Sequence, residues 1–107
     1  MIYLASPYTS EDKDEQRMRY YQACRAAAKL MEQGHVVFSP IAHSHGIARF
    51  IESHDHDFWM KQDLEFLHYA DELIILTLPG WKESKGVLHE IRVAAKWGLP
   101  IEYMEAP

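Results

Sequence analysis

Two carboxylates in this sequence stand where a reaction could use them. Glu90 closes the segment Ser84-Lys85-Gly86-Val87-Leu88-His89-Glu90, in which Ser84 has the character of a helix N-cap. The free N–H groups and dipole of a helix start attract an anion, and Gly86 lets that anion come close to the backbone. Glu90 follows Gly86 by four residues, on the same helix face and about 6 Å along the axis. A nucleoside 5′-monophosphate has a similar offset between its phosphate and its anomeric carbon, so a phosphate at the helix mouth would bring the sugar to Glu90. The plainer reading is a capping serine followed by a solvated glutamate, which is common near helix starts for dipole reasons alone.

Asp63 is the second carboxylate. At helical spacing it shares a face with Trp59, Phe66 and Leu67. Apolar neighbours desolvate a carboxylate, raise its pKa and suit it to act as a general acid. Its competing reading is a surface aspartate beside Lys61 and Gln62. Asp71 reads as a turn cap.

Seven histidines raise the question of a metal. His43, His45, His54 and His56 have superficially ligand-like spacing, but no His-Glu-x-x-His or paired pattern accompanies them. His43 and His45 fit better as pocket-lining groups after the strand end at Ser39-Pro40. Tyr20, Tyr21 and Trp81 have faces that could stack on a base. Of these Trp81 is favoured, because it shares a loop with Ser84. Cys24 lies among helix alanines with no base beside it and reads as a packed thiol.

Alternating strands and helices must position these groups. Ile2 to Ala5 reads as a buried strand ending at Ser6-Pro7. A helical pattern runs from about Glu15 to Gln33 and stops at Gly34. His35 to Phe38 is a second strand, and residues 41 to 54 fit no element. A helix spans about Asp57 to Ala70, a third strand Glu72 to Leu76, and a loop Leu78-Pro79-Gly80-Trp81. The last helix runs from Ser84 to Trp97, with Gly98 as its stop, before a short strand from Leu99 to Tyr103. This order implies an α/β fold: a small doubly wound, Rossmann- or flavodoxin-like parallel sheet of four to five strands flanked by helices. Such sheets bind ligands beyond the carboxyl ends of their strands, which directs attention to Ser6-Pro7-Tyr8, Ser39-Pro40 and residues 77 to 86.

The 107 residues suit one domain with a modest core, and 48% apolar with 25% charged residues is ordinary for a globular protein. A net charge of −5 leaves no broad basic face for a nucleic acid polymer or an anionic membrane. With Cys24 as the one cysteine, no intrachain disulfide forms. No signal-peptide pattern and no membrane-length apolar run occurs, so the expected setting is cytoplasmic.

Three short motifs resemble the nucleoside 2-deoxyribosyltransferase superfamily: Tyr3-Leu4-Ala5-Ser6-Pro7-Tyr8, Asp63-Leu64-x-x-Leu67-x-x-Ala70-Asp71 entering a strand, and Ser84-x-Gly86-Val87-x-x-Glu90. The last is most similar to the 2′-deoxynucleoside 5′-monophosphate N-glycosidase branch. The resemblance spans nearly the whole chain. It implies cleavage or transfer of an N-glycosidic bond, with Glu90 as nucleophile, Asp63 protonating the departing base, and Tyr3 orienting Glu90 or the sugar. Ser6, Ser84 and Gly86 would hold a 5′-phosphate. Monophosphate-specific relatives tend to carry a basic residue soon after the first strand, where this chain has Pro7-Tyr8, leaving Lys82, Lys85 or Arg92 to supply the charge. No cofactor or metal is expected. The partner is a small nucleoside or nucleotide, and a homodimer or higher homo-oligomer is expected by analogy. The alternatives are a non-catalytic nucleotide-binding or sensing module, and a metal-dependent hydrolase built on the four histidines.

Overall fold

A computed structural model describes all of residues 1–107. Four strands, β1 (Ile2–Ala5), β2 (Val37–Phe38), β3 (Glu72–Leu76) and β4 (Ile101–Met104), form one sheet in the order β2-β1-β3-β4. Every pairing is parallel, with Ile2 to Ala5 of β1 beside Glu72 to Ile75 of β3 and Leu73 to Leu76 of β3 beside Ile101 to Met104. Four helices connect them: α1 (Lys13–Glu32), α2 (Pro40–Ala48), α3 (His56–His68) and α4 (Lys85–Lys96). This is the doubly wound architecture that the alternation of elements implies.

The two faces of the sheet bury two separate cores, sorted by the two-residue alternation of a strand. Ile2 and Leu4 point to α1, where they pack with Ala26, Ala27 and Leu30. Tyr3 and Ala5 point the other way, to Leu67 of α3 and to Val87 and Ala94 of α4. Right-handed crossovers account for the division, because the chain leaves β1 in one direction and β3 in the other. The order therefore switches between β1 and β3, and a crevice opens beyond their carboxyl ends.

Several boundaries differ from the sequence-based expectation. The unassigned stretch holds α2, which Ser39 starts by accepting a hydrogen bond from the Ala42 N–H at 3.1 Å, with Pro40 in the first turn. Only Pro40 of this helix is buried, so no apolar stripe marks it. β2 is shorter than expected: His35 and Val36 are exposed and lie outside it. α1 begins at Lys13 because Asp12 caps it, accepting from the Asp14 N–H at 2.9 Å. Residues 81 to 83, expected as loop, form a single 3₁₀ turn. No helix is long and apolar enough to cross a membrane.

Candidate active site

Glu90 sits on the inner face of α4, one turn beyond its start, and only 3% of it is exposed. That face is fixed by Val87 and Ala94, which anchor α4 to the sheet on the side where Tyr3 projects. Tyr3 is consequently enclosed, and its hydroxyl donates to Oε2 of Glu90. Burial pushes the Glu90 carboxyl up to about 8; the Tyr3 hydrogen bond opposes this, and nearby Asp63 adds to it. The Tyr3 phenol is itself driven well above its ordinary value by burial and by the two carboxylates, so it remains a donor.

Asp63 comes from the next helix. Met60 and Leu67 bury one face of α3, and Asp63 lies on it at 8% exposure. With no cation beside it, its carboxyl rises by burial to about 7. Asp63 and Glu90 border one cavity of about 710 Å³, together with Ser6, Tyr8, His45, Ser84 and Gly86. The cavity occupies the crevice at the β1–β3 switch.

Two further features of the cavity point to a ligand. Ser84 caps α4 by accepting from the Val87 N–H at 3.3 Å, while the N–H groups of Lys85 and Gly86 have no partner within the helix. Ser6, directly after β1, is 95% buried, and its Oγ has no partner in the protein. A buried hydroxyl without a partner is costly unless something else meets it.

The remaining expected site residues lie elsewhere. Pro7 packs in the interior, its side chain less than 2% exposed and outside the cavity lining. Trp81 does not face the cavity; it tilts against Tyr103 at 5.5 Å between centroids and packs on the α4-side core. His43 turns away, lying against Phe38 and Phe66, because successive α2 positions of 43 and 45 are about 200° apart around the helix. Tyr3 is behind the cavity wall and reaches it only through Glu90. Of the four histidines, His45, His54 and His56 border the cavity, but they form no cluster. His43 faces Phe38, His45 contacts Tyr8, His54 stacks on Phe58, and His56 bonds to His89 at 3.1 Å. No three His, Cys, Asp or Glu side chains gather in ligand geometry, and the metal-hydrolase alternative loses its proposed ligand set.

The cavity also takes in one of the three candidate charges and one residue that the sequence did not single out, Arg19. Lys85 borders the cavity, whereas Lys82 and Arg92 do not. Arg19 of α1 also borders it; Nη1 donates to the Thr9 carbonyl at 2.8 Å and Nη2 to the Pro79 carbonyl at 3.1 Å. Glu15 pairs with the same guanidinium at 3.3 Å. Arg19 thus braces the loop after β1 to the loop after β3, across the switch point. In sequence it stands in a charged run that looks like a solvated helix face. Gly80 makes this brace possible: its φ is +92°, and a Cβ there would lie 2.6 Å from Nη2 of Arg19. Gly80→Ala is expected to cost about 1–3 kcal/mol of stability through backbone strain and displacement of the arginine, read as a lower urea midpoint with an unchanged m-value.

A family model matches residues 1–106, the family being described as a domain of unknown function, DUF1937. The chain belongs to this family. Among solved structures this DUF1937 chain is similar to a 2-deoxyribosyltransferase from the psychrotolerant bacterium Bacillus psychrosaccharolyticus. The two share 25% identity with a TM-score of 0.71, over 97% of this chain and 71% of that one. No curated protein matches it. The likeness makes the DUF1937 chain a distant structural relative of the deoxyribosyltransferase superfamily.

Proposed function

We propose that this protein cleaves or transfers the N-glycosidic bond of a nucleoside or nucleoside 5′-monophosphate, with Glu90 as nucleophile. The observation that carries the reading is the pair of buried carboxylates, Glu90 and Asp63, bordering one cavity at the topological switch point. The relation to a 2-deoxyribosyltransferase supports a nucleotide-related enzyme.

The chemistry asks different things of the two carboxylates. Carbon–nitrogen cleavage leaves an oxocarbenium-like sugar, which a carboxylate stabilises and then traps as a glycosyl–enzyme ester. The departing base takes the bond's electron pair and needs a proton, which Asp63 supplies from its raised carboxyl. Water attacking the ester gives hydrolysis, and a second base gives transfer. Tyr3 holds Glu90 by Oε2, leaving Oε1 as the oxygen for the anomeric carbon. Ser6, Ser84 and Gly86 bind the sugar's 5′ side, with Lys85 as the nearby positive charge and Arg19 as the brace of the surrounding loops.

Chromatographic measurement of base release from deoxy- and ribonucleosides and their 5′-monophosphates tests the proposal. Release from at least one class is expected. Binding without release over long incubation would instead favour a sensing module. The 5′ side has its own test in Gly86→Ala. A Cβ there meets only Met60 Cε, at 3.6 Å, so stability should stay within about 1 kcal/mol. Affinity for a 5′-monophosphate should fall about tenfold while affinity for the nucleoside stays the same, because the added methyl keeps the anion off the helix N–H groups. Isothermal titration of the two ligands measures the difference, and equal losses for both would remove the phosphate from the reading.

A further inference from the structure

The α2 side of the cavity carries a hydrogen-bonding device that the carboxylate chemistry does not use. The Tyr8 hydroxyl lies 2.7 Å from Nδ1 of His45. Tyr20 of α1 stacks on the same imidazole, with centroids 3.9 Å apart and planes 16° from parallel. The Tyr8 ring meets it edge-on, at 87°. One face and one nitrogen of His45 are therefore fixed by neighbours, and His45 makes no other hydrogen bond. Both His45 and Tyr8 border the cavity, as does Gln16.

The direction of the Tyr8–His45 bond follows from elementary acidity. A phenol is a stronger acid than a neutral imidazole N–H, and an imidazole nitrogen is a stronger base than a phenolic oxygen, so the hydroxyl donates to Nδ1. Burial raises the Tyr8 phenol and keeps its proton in place. A neutral imidazole that accepts at Nδ1 carries its proton at Nε2.

We infer that the Nε2–H of His45 donates to the base oxygen that stands where cytosine and adenine carry their amino group, O4 of uracil or O6 of hypoxanthine, with Tyr8 as the positioning residue that fixes its tautomer. The site accordingly takes oxo-substituted bases of the uracil or hypoxanthine type over their amino counterparts. The surroundings assign the base to this side. Pro40, Ile41 and Ala48 give the α2 wall an apolar surface suited to a flat heterocycle. Lys85 and the start of α4 supply the positive charge and free N–H groups that an anion takes, which leaves the α2 side for the base. An amino group set against a fixed donor leaves both N–H groups unpaired, which costs far more than losing one good contact. The inference rests on the nucleoside reading above, and it concerns binding rather than turnover.

Two measurements test it. Long-range proton–nitrogen correlation spectra of the wild-type imidazoles, at about pH 8 where neutral histidine dominates, should show His45 as the Nε2–H tautomer, and Tyr8→Phe should produce a tautomer mixture. Titration calorimetry on Glu90→Gln, which consumes nothing, compares deoxyuridine with deoxycytidine and deoxyinosine with deoxyadenosine, each as the nucleoside and as its 5′-monophosphate. Within each pair the oxo member should bind at least about tenfold more tightly. His45→Gln, which keeps an N–H, should retain part of that preference, and His45→Leu should lose it. An Nδ1–H tautomer in the wild type, equal affinities within both pairs, or a preference surviving in His45→Leu overturns the proposal. Failure of all four bases to bind, as nucleosides and as 5′-monophosphates, overturns it together with the nucleoside reading. An oxo preference in a protein that releases no base supports it while ending the glycosidase reading.

Discussion

Glu90→Ala is expected to lower base release by about a thousandfold or more, because it removes the atom that forms the new bond to the anomeric carbon. Truncation also removes a buried carboxyl and leaves the Tyr3 hydroxyl without its partner, so a folding control is required. Glu90→Gln keeps the volume and an oxygen for Tyr3 and should lose activity to a similar degree. Circular dichroism and a urea titration establish that each variant folds, and single-turnover base release reads the chemistry. Trapping adds a positive readout: with a slow substrate the wild type should gain the mass of a glycosyl group, and neither variant should. Unchanged turnover in a folded Glu90→Gln would remove Glu90 from the mechanism and, with it, the proposed reaction.

The second large effect is on stability against pH. Glu90 and Asp63 have carboxyls raised to about 8 and about 7 in the fold, from ordinary values of 4.5 and 3.8. Between about pH 4 and pH 8 the folded protein therefore holds protons that the unfolded chain has released. Stability changes with pH in proportion to the protons bound by the unfolded state minus those bound by the folded state, and here that difference is negative. The stabilisation of the buried neutral acids is complete below about pH 4 and lost as the pH rises through about 7 and 8. The protein should thus lose on the order of a few kcal/mol across this window, opposite to the slope that salt-bridged carboxylates produce. Urea unfolding at a series of pH values measures it. Asp63→Asn combined with Glu90→Gln should flatten the curve and raise stability at the alkaline end.

The same titration predicts how activity responds. Catalysis needs one carboxylate ionised and the other protonated, so turnover should be bell-shaped with its maximum between about pH 7 and 8. The two limbs belong to the pair, since Asp63 raises the Glu90 carboxyl. The remaining proton favours Glu90, so the reacting form, with Glu90 ionised and Asp63 protonated, is the minor singly protonated state, and the Tyr3 hydrogen bond raises its share.

Much of this fold was legible in one dimension. The apolar runs at Ile2–Ala5 and Glu72–Leu76, separated by helical patterns with glycine stops, dictate a parallel sheet covered on both faces, and that is the sheet observed. Strand and helix periods are local properties, so they survive in sequence. Ser84 as N-cap of α4 was readable for the same reason. α2 was not, because a helix with only Pro40 buried has little apolar periodicity to display.

The carboxylates divide along the same line. Residue type and spacing singled out Glu90 and Asp63, but both also had an ordinary reading as solvated helix residues. Only the packing of α3 and α4 against one sheet face buries them beside a shared cavity and raises both carboxyls. Desolvation is a property of the assembled neighbourhood, and no single segment contains it. Helix phase likewise separated His45 from His43: the sequence offered both, and the turn of α2 brought one to Tyr8 and sent the other to Phe38. Arg19 lies 60 residues from the Pro79 carbonyl it bonds, a pairing that no local pattern encodes. The sequence by itself determined the elements, their order and the groups able to react. The tertiary structure decided which of those groups meet, because burial and proximity arise when distant segments pack together.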